Sequence, residues 1–580
     1  MLSYKSRRCP SATSPSAPYD KTCFTRMRLS LLSCIASGVW ISAWTHLPRL
    51  SPRERLPAGL PKSLSVNDAL FIDMPLDHFS NTSTTTFRNR YWVNATYYVP
   101  GGPVFLFDSG EQNAEPLLPY YLQEYHGLSA TMQFAKRYGG VAVLWEHRYY
   151  GASQPFPINH NTTADEWQYL TTEQALEDVV FFANHFSLNS SNGSSDTSTG
   201  ESARHPSRTP WVWLGASYPG VRGALMRVRN PEVIYAVWAS SAPVQAQIDM
   251  ASYYEAAERS LTRNCSADWV AVTRYVDDVL ANGTAEAQTD MKVRLLSARA
   301  SSPTQNITAS AAQAAEASNS DAAGVLMDPL NFYQYYGFAA SVLPFCNIVE
   351  TRNGTAEPME GGLISAMPVE DVLDAFLSAI AQVDYDDIPS SDDPATDLAW
   401  MRQYCSEYGF YQRGDPSNPL SIETSFESLD LFQAQCNETF PDIRGPPKVE
   451  NILKYGGWTM NPSNVLFTNG EFDPWRTMGL ASIESNSPMR IPSPAVPPCN
   501  TSPANTSTFF GLTHDGMVHA SDLRVLLEPD ANHTDFMTVG FYSPISQAPF
   551  YTGMGLFGLA LDAWLPCFNA SEIAMQDVVE

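Results

Sequence analysis

Short apolar runs recur along the chain: Val104–Phe107, Val141–Trp145, Trp211–Leu214, Val233–Trp238 and, much later, Asn464–Thr468. Runs this short and this continuous are the pattern of strands buried on both faces. Thr86–Asn94 reads as an earlier strand. Between these runs, Thr171–Phe186 carries a helical period, with Leu176, Val179, Val180 and Ala183 on one face and Thr171 and Gln174 as a capping box. Strands alternating with helices predict a parallel sheet covered on both sides. From about 245 to 440 the texture changes. Trp269, Val272, Val276, Val279 and Leu280 share a helical face behind Ser266 as cap, Val369–Val383 reads as helical, and Ser301–Ala323 is an Ala/Ser-rich crossing. This block is expected to be a helical insertion over the sheet. Phe550–Pro566 is expected to dock as a terminal helix, and Ser187–Pro210 to be an exposed loop.

A chain of 580 residues exceeds one ordinary core, which agrees with a core plus an insertion. The net charge of −26 and pI near 4.7 exclude nucleic acid as a partner and suit acidic surroundings. Residues 29–45 are apolar and follow Arg26 and Arg28, so they read as a signal peptide, with Met27 as an alternative start. An uncleaved anchor is the competing reading, but the run is short for a span and contains Ser, Gly and Thr. Ser51–Leu64 is a Pro-rich linker or pro-segment. Beyond the leader stand six cysteines, Cys265, Cys346, Cys405, Cys436, Cys499 and Cys567. An even set without Cys-x-x-Cys implies three disulfides rather than zinc. Glycosylation sequons at Asn81, Asn94, Asn161, Asn192, Asn282, Asn353, Asn437, Asn505 and Asn569 point to a secreted glycoprotein.

The candidate chemistry begins at Gly215-Ala-Ser-Tyr-Pro-Gly220, directly after the Trp211–Leu214 run. Gly-x-Ser-x-x-Gly behind a strand is close to a nucleophile elbow, in which a strained turn exposes the serine and the next N–H faces the developing oxyanion. Ser217 is then the nucleophile and Tyr218 supplies the donor. Such a serine needs a base and an oriented acid, in the order Ser, Asp, His. Asp473 follows the 464–468 run, and His519 lies further on, with His514 competing for the role. A turn-forming Asp-Pro, a solvated histidine, and a His514/Asp515/His519 metal site are the alternatives.

With those residues in place, the chain resembles the S28 serine peptidases, which include prolyl carboxypeptidase, dipeptidyl peptidase II and fungal acid prolyl endopeptidases. The resemblance rests on Thr86–Asn94, Gly101–Phe107, Glu146-His-Arg-Tyr-Tyr-Gly151, Glu173-Gln-Ala-Leu176, the serine elbow, Ala239-Ser-Ser-Ala-Pro243, Asn469-Gly-Glu-Phe-Asp-Pro-Trp475, and His519 with Asp522-Leu-Arg524. It implies an α/β-hydrolase core with an inserted helical cap of the SKS type. The expected divisions are a leader at 1–50, core at 66–244, cap at 245–440 and core again at 441–580. It implies Ser217, Asp473 and His519 as the triad, Tyr218 and Gly110 at the oxyanion, and Trp475 with Glu111 toward the substrate. It also implies the pairs Cys265–Cys346, Cys405–Cys436 and Cys499–Cys567. Two stretches depart from the family pattern: Ser109-Gly110-Glu111-Gln112 replaces Gly-Asn-Glu-Gly, and His519-Ala-Ser-Asp-Leu-Arg replaces His-His-Leu-Asp-Leu-Arg. The expected activity is peptide hydrolysis after proline at acidic pH, by an exopeptidase, secreted or vacuolar/lysosomal. No cofactor or metal is expected, and Arg524 is a cation expected to favour neutral His519. Expected partners are peptide substrates, without nucleic acid or stable membrane association, and a homodimer stays open. Carboxypeptidase, dipeptidyl-peptidase and endopeptidase modes stay open too. An esterase or lipase on the same fold and a non-catalytic binding glycoprotein are the alternatives.

Overall fold

A computed structural model describes residues 68–123, 129–188, 204–301, 306–382, 393–523 and 552–568. The leader, the Pro-rich linker, Asn192, Asn569, Arg524 and most of the 187–210 segment lie outside the described residues.

The apolar runs become strands because each buries side chains on both faces of one sheet. Its strands are β1 (Leu70–Pro75), β2 (Thr86–Asn94), β3 (Val104–Asp108), β4 (Val141–Trp145), β5 (Trp211–Ala216), β6 (Ala236–Ser240), β9 (Val465–Gly470), β10 (Ile491–Ser493) and β11 (Thr508–His514). The spatial order is β1-β2-β4-β3-β5-β6-β9-β11-β10. Only the β1–β2 and β2–β4 pairings are antiparallel. Leu106 pairs with Val143 on one side and Trp213 on the other, and all three join the core under the helices Thr172–His185 and Tyr218–Arg229. Phe105, Phe107, Leu144 and Leu214 face the opposite way, onto the helices Ala130–Tyr138 and Gly553–Trp564. Such an open, mostly parallel sheet, clad on both faces, is an α/β-hydrolase core. Because its parallel strands all end on one edge, the loops after β5, β9 and β11 gather there, with β6 between β5 and β9.

Between β6 and β9 the chain builds a second core. Trp269, Val272, Val276, Leu295, Phe345, Val372 and Phe376 pack together from the helices Arg263–Asn282, Ala285–Ala300, Leu343–Glu350 and Val369–Ile380. Cys265–Cys346 ties the first of these helices to the third. Two short parallel strands, β7 (Gln247–Asp249) and β8 (Gly409–Tyr411), form a separate ribbon in this block. The other disulfides join Cys405 to Cys436 and Cys499 to Cys567.

Several local expectations change. Ser266 lies inside the helix Arg263–Asn282, whose N-cap residue is Thr262, and its hydroxyl reaches Glu258. Thr171 does cap its helix, but Gln174 does not complete the box: its side chain bonds Asp77 and the His78 amide instead. β6 starts at Ala236, because the amides of Val233 and Ile234 turn back onto the Asn230 carbonyl. Within the expected crossing, Ala311–Glu316 and Asn319–Ala323 are capped helical turns. Asn94 is 4 % exposed and its Nδ2 donates to the Leu122 carbonyl, so this sequon is closed to modification in the folded chain. Asn81, Asn161, Asn282, Asn353, Asn437 and Asn505 are exposed. Among the described residues no helix is long and apolar enough to cross a membrane.

Candidate active site

β5 runs without a break into the helix Tyr218–Arg229, and Ser217 at the junction takes φ +63° and ψ −130°. A non-glycine residue held there is strained, and it persists only where the surroundings determine it. Gly215 makes the turn feasible: a Cβ there would come within 2.6 Å of the Pro219 backbone. The first amide of the helix after Ser217 belongs to Tyr218, so unpaired N–H groups and the positive helix end face the serine's surroundings.

Asp473 follows β9 and is 1 % exposed. Its Oδ1 accepts from the Trp475 amide at 2.9 Å and lies 2.9 Å from His519 Nδ1; Asn469 Nδ2 approaches Oδ2 at 3.4 Å. With Nδ1 turned to the carboxylate, Nε2 of His519 is left for the proton transfer that a serine nucleophile requires. His519 itself is 4 % exposed. His514 faces elsewhere, with Nε2 3.2 Å from Asp522 Oδ2. The two histidines therefore serve different carboxylates and share no metal-binding arrangement.

Trp475 stands beside this pair. Its ring centroid is 6.2 Å from His519, 5.2 Å from Phe410 and 5.7 Å from Tyr253. Its Nε1 donates to Gln334 Oε1 at 2.8 Å; the same oxygen accepts from Tyr253 Oη, and the Gln334 carbonyl accepts the His519 amide at 3.2 Å. Gln334, from the helical block, thus touches both the aromatic wall and the histidine. Sequence reasoning missed it, since nothing local marks a glutamine lying 141 positions before Trp475. Beyond Trp475 a cavity of about 380 Å³ opens between core and helical block, walled by Tyr254, Trp400, Tyr404, Phe410 and Phe432, with Glu423 and Glu427 on its lining. Burial, more than any other influence, raises Glu423 well above the carboxylate range.

The loop after β3 is less simple than expected. Gly110 has φ +63°, and a Cβ would strike Pro219 Cγ at 2.3 Å, so the loop abuts the residue two positions past Ser217. The Gly110 amide, however, is engaged by Asp108 Oδ1 at 3.2 Å, while Asp108 Oδ2 takes Arg222 Nη1 at 2.6 Å. Glu111 Oε2 is buried without a hydrogen-bond partner among the described residues, and burial pushes its carboxyl up to about 7. Glu146–Gly151 turns out to be scaffold. Glu146 takes Arg90, the amides of Ala114 and Ala152, and Ser153; His147 Nε2 lies 3.0 Å from Tyr218 Oη; Arg148 grips Asp178 twice at 2.6 Å.

A serine on a strained strand-to-helix turn and a buried His–Asp pair, on strand ends of one mostly parallel sheet, are the features of the serine hydrolases built on the α/β-hydrolase fold. Within that class, the chain belongs to the serine carboxypeptidase S28 family, whose profile matches residues 74–495. It is similar to serine protease vicPb of Bipolaris victoriae, at 26 % identity over 74 % of this chain and 81 % of that protein. It is similar to a probable extracellular serine carboxypeptidase of Arthroderma benhamiae, at 26 % over 79 % of this chain and 66 % of the relative. The thymus-specific serine protease of Mus musculus is also 26 % identical, over 71 % of this chain and 77 % of its own.

Proposed function

We propose that this serine peptidase is a secreted exopeptidase in which Ser217, His519 and Asp473 act as a triad. The observation that carries the reading is the buried 2.9 Å His519–Asp473 contact on the sheet edge where Ser217 holds its strained turn. Ser217 Oγ attacks the peptide carbonyl while His519 Nε2 takes its proton. The amide of Tyr218 receives the oxyanion, and Asp473 holds the imidazole by Nδ1. His519 then gives that proton to the leaving amine, the C–N bond breaks, and an acyl-enzyme stays on Ser217. Water, deprotonated by His519, attacks the ester and frees the acid product. Because the Gly110 amide already bonds Asp108, Gly110 serves in this reading by its close approach to Pro219 rather than as the second donor.

Trp475 and Phe410 offer flat apolar surfaces suited to a proline ring, which supports cleavage after proline. The helical block between β6 and β9 is the cap of this reading: it closes one side of the cleft through Gln334. On the lining of the cavity beyond, Glu427 has no cationic partner among the described residues, which favours the amine end of a peptide. The second reading, a carboxypeptidase, is favoured by the name of the Arthroderma benhamiae relative. Secretion is supported by three disulfides and by the same relative, an extracellular protein by name.

Proline-containing peptides, free or blocked at either end, decide between the modes when the products are read by mass spectrometry. Amino-end release is expected: acetylation stops it and amidation does not. The opposite pattern establishes the carboxypeptidase, and cleavage of doubly blocked peptides an endopeptidase. Hydrolysis of simple esters with no peptide cleavage would return the chain to the esterases.

A further inference from the structure

Ala239-Ser-Ser-Ala-Pro243, where β6 ends, takes no part in the chemistry above, yet it lies between the strand ends that carry Ser217 and His519. Ser240 and Ser241 are respectively 0 % and 1 % exposed. Their bonds run outward in both directions. The Ser240 carbonyl accepts the Ser217 amide at 2.8 Å. The Ser240 hydroxyl donates to Asp522 Oδ1 at 2.5 Å, three residues past His519. Ser241 Oγ accepts the amide of Ala520, the residue next to His519, at 2.8 Å. The Ser241 amide donates to the Thr468 carbonyl of β9 at 2.6 Å, and Asp522 Oδ2 faces His514 at the end of β11. Consecutive residues of one buried strand end thus hold the nucleophile's own amide and the loop of the base.

Both partners in the Ser241–Ala520 bond are strained: Ser241 has φ +46° and Ala520 φ +54°. Left-handed backbone at non-glycine residues persists only where the surroundings impose it, and such strain concentrates at functional sites. Deleting the Ser241 hydroxyl would leave a buried N–H unpaired and free Ala520 to relax, turning the adjacent imidazole. A displacement of about 1 Å at reacting groups can cost on the order of a hundredfold in rate.

We propose that Ser241, together with Asp522 acting through Ser240, is a positioning element that sets the approach of His519 to Ser217. The proposal rests on the reading of those two as the reacting pair. The test compares Ser241→Ala, Ser241→Thr and Asp522→Asn for kcat and KM on a peptide substrate, and for the rate at which a small sulfonyl fluoride labels Ser217. Ser241→Ala should lose about tenfold to a hundredfold in kcat with KM within about twofold, and labelling should slow by the same factor. Ser241→Thr, which keeps the hydroxyl but adds a methyl group at a buried left-handed position, should recover part of both. A merely structural hydroxyl would lower thermal stability without slowing the labelling of folded protein. Wild-type kcat in Ser241→Ala overturns the proposal. If Ser241→Ala does not accumulate folded, the same two rates on Asp522→Asn decide, and unchanged rates there overturn it. Wild-type enzyme that the reagent does not label at Ser217 would instead sink the triad reading itself.

Discussion

At the scale of single residues, the proposed triad separates groups that react from groups that hold them. Ser217 makes its strained turn without packing its hydroxyl into the core, so Ser217→Ala should fold normally and lose at least about a thousandfold in kcat. Retention of a few per cent of activity by the purified variant would refute its role. His519→Ala should be as damaging, and the double variant scarcely worse than either single one, because members of a triad act as a unit. His514→Ala should behave differently. It removes a partner from buried Asp522, so the melting temperature should fall while kcat drops by no more than about tenfold. Equal kinetic losses at the two histidines would mean the base has been misassigned. The turns at Ser217 and Asp473 are legible in the sequence because their local punctuation, Gly-x-Ser and Asn-Gly…Asp-Pro, itself sets the backbone there. Gln334 and Ser241 are not, because their importance lies wholly in what folding brings against them.

Among the elements, the turn after β4 shows how scaffold can resemble function. Glu146-His-Arg-Tyr-Tyr-Gly151 is distinctive in the sequence, and in space it is a buried polar frame. Arg148 is fully buried and its guanidinium makes both a side-on pair with Asp178 and bonds to the carbonyls of Leu76 and Tyr169. Burial alone would raise Asp178, but the Arg148 charge and hydrogen bonds outweigh it and hold the carboxyl below its ordinary value. Arg148→Met leaves that carboxylate buried with, among the described residues, only His78 bonded to it, and should cost about 3–5 kcal/mol. Urea unfolding measures this; a change below about 1 kcal/mol would show that the frame is not needed for stability. The apolar strands, by contrast, announce themselves, because a strand buried on both faces has no polar positions to break the run. β11 went unread: Thr508–His514 mixes Phe509 and Phe510 with Gly511 and Thr513 and lacks such a run.

Over the whole molecule, buried titrating groups set how stability depends on pH. Burial raises Glu111 to about 7 and Glu423 well above its ordinary value; burial, then the Asp268 charge, raises Glu350 likewise. In each case the folded chain keeps a proton that the unfolded chain releases above about 4.5, so the contribution is full below that pH and is lost as pH rises through the folded value. His147 acts in the opposite sense. Burial first, then the Arg222 charge, keep it neutral, so its contribution is lost as pH falls below the ordinary value of 6.5. For Asp522, burial is outweighed by His514 and the hydroxyls of Ser240 and Thr468; it and Asp178 are held low, and their contributions vanish only in strong acid, below 3.8. Burial raises Asp108, Asp268 and Asp328 as well, and these carboxyls together against one neutral histidine place the stability maximum on the acid side, between about pH 4.5 and 6. Thermal melts at pH 5 and pH 8 check this, and an equal or higher melting temperature at pH 8 refutes it.

What the sequence by itself determined is whatever neighbouring residues can encode: buried strands, helical faces, the serine on its strand-to-helix turn, the aspartate after its strand, and membership of a peptidase family through contiguous motifs. The tertiary structure decided which distant groups meet. His519 faces Asp473 from 46 positions away and Ser240 meets Asp522 across 282. The physical reason is that a parallel sheet sends every strand end to one edge, whatever the sequence distance between strands. Which amide finds which hydroxyl on that edge depends on strand order and twist, and no local pattern records either.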